Sequence, residues 1–145
     1  MISVTHFPAT AQRVAKTVME GIFQCVRTCL ENDIPVGLGT DTGVDYITHY
    51  DFWRELVYFH KFCDVSNAFA IHTATAVNAR IAGVGDETGS IEVGKSADFI
   101  VVEKNPLEDL KASRDVKLVA IRGQVIENPE IKRFDKVEQE LNKLI

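Results

Sequence analysis

No run of this 145-residue sequence approaches the ~18 uninterrupted apolar residues of a membrane-spanning helix. The N-terminus, Met1-Ile2-Ser3-Val4-Thr5-His6, has no basic flank leading into an apolar core, so no secretory leader is read there. Blocks of like charge are missing as well. Lys and Arg number 16 against 21 Asp and Glu, and the net charge of −5 suits solubility while giving nucleic acid no basic footing. Cysteine is scarce and odd in number: Cys25, Cys29 and Cys63 cannot build a disulfide framework and are expected to be reduced. There is no His-x-His pair to supply two metal ligands at once, no internal repeat and no low-complexity segment. These absences point to a cytoplasmic protein.

What is present reads as one soluble domain of modest size, with 46% hydrophobic and 26% charged residues. Over residues 10–31 apolar side chains recur at Val14, Val18, Ile22, Val26 and Leu30, and Met19, Phe23 and Cys29 widen that stripe, which predicts an amphipathic helix. Cys25 and Cys29 share a face of it, as half of a thiolate metal site or as small buried hydrophobes; no second Cys/His pair follows at a suitable spacing, so burial is the expectation. Ile34-Pro35-Val36-Gly37-Leu38 then predicts a buried strand, completing the αβ half of a βαβ unit. Beyond the loop from Gly39 to His49, Phe52, Trp53, Leu56, Val57 and residues 59–62 predict a helix with Asp51 as its N-cap. Asp64 or Ser66 caps a further helix running through Ala70 and Ile71, which Thr75 restarts and Gly83 ends. After Gly85 the pattern turns to strands at 89–93 and 97–102, and to a hairpin of 116–121 with 124–126 pivoting on Arg122-Gly123. Ile131, Phe134, Val137 and Leu141 predict a terminal helix. The fold class is α/β, divided into residues 1–85, a β-rich piece at 86–128 and a helix at 129–145.

Gly37-Leu38-Gly39-Thr40-Asp41-Thr42-Gly43 has the outline of a phosphate-cradling loop, but its sixth position is Thr42 where a dinucleotide fingerprint needs glycine, and no Gly-Lys-Ser/Thr follows. Asp41 sits where α/β barrels gather catalytic side chains, at the C-terminal end of a strand. A turn or capping role is equally open to it. His49 is a candidate for the same cavity, or a polar residue flanking a helix; His60 and His72 fall within helical patterns and read as packing or surface residues, and His6 has no partner in sequence.

Four stretches, Ile34 to Asp41, the loop to His49, Asn78-Ala79-Arg80-Ile81-Ala82-Gly83, and Thr88 to Val102 with its Gly-Ser-Ile-x-x-Gly-Lys-x-Ala-Asp run, together resemble the last third of an amidohydrolase. The imidazolonepropionase-like and Xaa-Pro dipeptidase-like branch is the most similar. The resemblance implies the C-terminal fragment of a (β/α)8 barrel, its last helix and strand and trailing helices, followed by part of a small β-sandwich domain. It implies hydrolysis of an amide, cyclic amide or dipeptide C–N bond by a metal-activated water, with one or two divalent ions, usually zinc. Asp41 matches the family's metal ligand and proton acceptor, and His49 and Thr42 are the matching candidates for substrate contact. The family's other ligands belong upstream of Met1, so the isolated chain is expected to be inactive and to self-associate or to pair with a complementing N-terminal chain. The alternative is a non-catalytic interaction subunit that binds a partner through the β-rich part or the terminal helix, with Asp41 a relic.

Overall fold

A computed structural model describes residues 9–43 and 47–145 of the chain. Helix α1 spans Ala9–Glu31, as the spacing of four predicts. Its apolar stripe meets two fates. Phe23, Val26 and Leu30 pack against the core, because helix α2 (Trp53–Cys63) lies against that end of α1: the Phe23 and Phe62 rings stack at 4.6 Å and Arg27 Nη1 donates to the Phe62 carbonyl at 2.7 Å. Val14, Val18, Met19 and Ile22 continue the same stripe beyond that neighbour and are exposed.

After α1 the chain reverses through Asp33 in the left-handed region (φ 55°). Residues 34–38 were predicted to be a buried strand, yet they pair with no strand among the described residues, and Ile34 is 53% exposed. A strand is defined by its neighbours' hydrogen bonds, and here a side chain takes their place. Asn78 Nδ2 donates to the Leu38 carbonyl at 2.9 Å while Asn78 Oδ1 accepts from the Leu38 amide at 2.8 Å. Gly37 makes this approach possible, since a Cβ there would lie 2.9 Å from Asn78 Oδ1. Replacing Asn78 with alanine removes two partly buried hydrogen bonds and is expected to lower stability by about 1–3 kcal/mol. It should also speed hydrogen exchange at the Leu38 amide selectively; an unchanged Leu38 rate would refute the clamp.

α2 buries Trp53, Leu56, Val57 and Phe59 of the face predicted for it, and Cys63 with them; Phe52 and Phe62 are half-buried, and His60 and Lys61 are exposed. Asp51 is not its cap. Phe52 holds the N-cap position without a side-chain bond, and the Asp51 carboxylate turns inward, accepting from Thr48 Oγ1 at 2.7 Å and Trp53 Nε1 at 3.2 Å. Of the two candidate caps, Ser66 accepts from the Phe69 amide at 3.1 Å and opens α3 (Asn67–His72), while Asp64 is the left-handed C-cap of α2. In place of a restart at Thr75, the chain continues through a π-helical turn, Thr73–Val77, into α4 (Asn78–Ile81), whose first residue is the one that reaches Leu38. Gly83 (φ 74°) ends it.

The sheet is antiparallel in the order β1 (Phe99–Val102), β2 (Val116–Ile121), β3 (Gln124–Glu127). Arg122 and Gly123, both at positive φ (50° and 76°), close the predicted hairpin in the handedness that matches strand twist. The strand predicted at 89–93 does not form: Ile91 and Val93 are 90% and 109% exposed, and the segment is a looped clasp described below. The terminal helix is shorter than predicted. α5 runs Asp135–Leu141, because the Phe134 amide is taken by Tyr50 Oη at 2.9 Å and Phe134 is in the extended region. Trp53, Leu56, Val57, Phe59, Cys63, Ala70 and Leu110 form the core. The described residues thus combine helices with one antiparallel sheet, and none of their helices is long and apolar enough to cross a membrane.

Candidate functional site

Asp41 is exposed and has φ 52°. Five described non-glycine residues have positive φ, and four are accounted for by position: Asp33 follows α1, Asp64 ends α2, Arg122 is in the hairpin turn and Asn128 follows β3. Asp41 stands at no such terminus. A left-handed aspartate is tolerated because its short polar side chain bonds locally, and such outliers collect at sites that present a side chain. Gly39 and Gly43 (φ 124°) flank the turn, and Thr40 Oγ1 and Thr42 Oγ1 share a hydrogen bond of 2.6 Å beneath it. Thr42, a candidate for substrate contact, is therefore half-buried and engaged with Thr40. His49 is exposed in the turn before α2. No hydrogen bond or ion pair joins Asp41, Thr42 and His49 among the described residues.

His60 Nδ1 donates to the Val65 carbonyl at 2.6 Å and His72 is exposed, in line with packing and surface roles. His6 lies outside the described residues. No group of three or more His, Cys, Asp or Glu side chains among the described residues is placed to hold a metal ion. These residues therefore do not fit a divalent cation by themselves. The thiols also depart from expectation: Cys63 is buried, but Cys25 is exposed and Cys29 half-buried.

A cavity of about 920 Å³ lies away from Asp41, between α2, α4, the loop at 88–91 and β1. Trp53, Ile71, Asn78, Asp98 and Phe99 are in its largely apolar wall, and Asp41, Thr42 and His49 are not. The run from Thr88 to Asp98 borders it and serves as a clasp. Gly89 (φ 94°) is pressed so close to α4 that a Cβ would lie 2.4 Å from Ala79 Cβ. Lys95 Nζ donates to the Gly85 carbonyl and to Ser90 Oγ, each at 2.7 Å. The Ser90 hydroxyl, with Lys95 beside it, holds the Glu92 carboxyl below its ordinary pKa. Asp98 Oδ1 accepts from the Arg122 amide at 2.6 Å; that bond, reinforced by the Thr88 hydroxyl, keeps its pKa below the usual range.

A second polar cluster escaped the sequence reading. Arg54, 2% exposed on α2, places Nε 3.3 Å from Asp51 Oδ1 and Nη2 3.2 Å from Glu138 Oε2. Arg114 Nη2 reaches the same Glu138 oxygen at 2.9 Å, with Arg133 Nη1 at 4.0 Å. The Trp53 ring lies under Arg54 at 4.4 Å. With Tyr50 bonded to Phe134, this cluster fastens α5 to α2 and to the turn before it. The available signal was an arginine inside an otherwise apolar helical face.

The sequence profile of the Amidohydrolase family matches residues 1–126. A 5-methylthioadenosine/S-adenosylhomocysteine deaminase of Syntrophomonas wolfei is 31% identical, covering 94% of this chain and 35% of its own length. Among solved structures, a candidate prolidase from Bifidobacterium longum is 40% identical with a TM-score of 0.90, over 99% of this chain and 35% of that one. A Xaa-Pro dipeptidase with methionine bound in its active site is 34% identical with a TM-score of 0.71, over 83% of this chain and 29% of that one. The sequence thus spans about a third of the proteins it matches.

Proposed function

This chain belongs to the amidohydrolase family, and on that premise we propose that it is the C-terminal portion of a hydrolase of C–N bonds in small substrates, of the dipeptide or related amide type. The observation that carries the reading is Asp41: an exposed carboxylate on a left-handed turn, three residues beyond the backbone that Asn78 clamps. Similarity at 40% identity to a candidate prolidase favours the dipeptide class over the deaminase class. In this reading the segment at 34–38 is the last strand of a (β/α)8 barrel, α1 is the helix before it, and the sheet is part of the small β-domain. Asp41 is one ligand of a divalent ion, zinc by family habit, and the remaining ligands come from barrel residues outside this sequence. Thr42 and His49 border the substrate. The exposed stripe Val14, Val18, Met19 and Ile22 is where that remaining part docks.

The test supplies the missing part in trans: the preceding segment of the Bifidobacterium longum relative, co-expressed with this chain and loaded with zinc. Co-sedimentation and hydrolysis of a prolyl dipeptide are expected from the pair, and no turnover from this chain alone. Asp41→Asn should lower the rate of the pair by about 10²–10⁴-fold without moving the melting temperature of this chain. Full activity of the Asn variant, or zinc-dependent turnover by this chain alone, would overturn the proposal.

A further inference from the structure

Cys25 and Cys29 have no part in the hydrolase reading, and the structure takes them out of the core to which their sequence context assigned them. Both are free, with Cys25 exposed and Cys29 half-buried, whereas Cys63 is a buried core residue of α2. They sit one turn apart on α1. Burial, and after it the proximity of Cys25, raise the Cys29 pKa.

We propose that Cys25 and Cys29 form a two-thiol chelating site for soft, thiophilic centres such as trivalent arsenicals. The argument is one of spacing. Residues four apart on a helix hold their Cβ atoms ~5–6 Å apart, whereas a disulfide needs about 3.5–4.5 Å. Direct S–S closure would therefore distort α1. A bridging atom bound to each sulfur at a distance like the ~2.3 Å of zinc–thiolate bonds fits the gap with the helix intact, so the pair is built to chelate rather than to oxidise. The preceding turn of the same face offers Gly21 and Ile22, neither with a side-chain oxygen, and an all-sulfur pair selects soft ions over magnesium or calcium. The helix fixes the spacing in advance, so little ordering is required on binding.

With phenylarsine oxide as the probe, both S–H bonds break and two As–S bonds form. The oxide oxygen leaves as water with the two protons, and arsenic stays trivalent. The adduct test does not depend on hydrolysis; it uses this chain alone, because the segment proposed to dock on the stripe from Val14 to Ile22 would cover the same face of α1. Reduced protein mixed with phenylarsine oxide and desalted should show one adduct per chain by native mass spectrometry. Cys25→Ser and Cys29→Ser should each reduce adduct occupancy at least about tenfold, with unchanged far-UV circular dichroism, since a lone thiol holds the arsenical singly. The Cys25→Ser variant is decisive because it keeps both Cys29 and Cys63. An adduct surviving there at the level of the unaltered chain, or no adduct on the unaltered chain, would overturn the proposal.

Discussion

Replacing Glu138 with alanine is expected to destabilise the chain by about 3–5 kcal/mol, the range for removing one member of a buried ion pair. Its carboxylate is shared by Arg54, Arg114 and Arg133, and without it Arg54, 2% exposed, keeps only Asp51 as a charged partner. The penalty comes from the guanidinium left dry more than from the lost attraction. A urea titration should show a lower midpoint with little change in slope, and limited proteolysis should open the chain between Ile131 and Leu141 first. Arg54→Met should lose less, because it removes the most deeply buried cation, fills its volume, and leaves Asp51 bonded to Thr48 and Trp53 and Glu138 bonded to Arg114. A Glu138→Ala midpoint within error of the unaltered chain would show that the cluster does not hold α5.

The second large effect is expected at Gly89. An alanine Cβ there would meet Ala79 Cβ at 2.4 Å and the Thr75 carbonyl at 3.1 Å, and those atoms belong to the packed helical segment and cannot rotate away. Overpacking of this kind costs about 1–3 kcal/mol, and the positive φ adds roughly 1–2 kcal/mol for a residue with a Cβ. Gly94 has the same φ of 94° with nothing within 4 Å of its Cβ position, so Gly94→Ala separates the terms by carrying the backbone penalty alone. Thermal melts of the two variants should therefore differ, with Gly89→Ala the lower; equal melts would mean that the loop swings away from α4.

Gly89 also illustrates what the sequence could and could not convey. Helix α1, the Ser66 cap, the stop at Gly83 and the hairpin at Arg122-Gly123 are encoded by neighbours within a few residues, and each was legible for that reason. Gly89-Ser90-Ile91-Glu92-Val93 alternates as a strand does, but its conformation is set by Ala79 and Gly85, which local periodicity does not register. Asp51 resembled an N-cap because the residue type suits one; its charged partner, Arg54, also bonds Glu138, 84 positions further along the chain. The turn around Asp41 was legible from its flanking glycines, and the family from motifs spread over residues 34–102. The orientation of Thr42 toward Thr40 was not, since nothing in the residue order distinguishes a hydroxyl that faces a neighbour from one that faces a ligand.

Asn78 finally sets a mechanical condition on Asp41. The clamp at Leu38 is a pivot, and three residues at ~3.3 Å each give an arm of about 10 Å to the carboxylate. A rotation of ~10° at that pivot would displace the carboxylate by roughly 2 Å, and a misplacement of about 1 Å can slow catalysis by about 100-fold. A single amide clamp therefore sets position but not aim. The bond between Thr40 and Thr42 joins two residues of the arm to each other, so it stiffens the turn that carries the carboxylate but does not anchor the arm against that rotation.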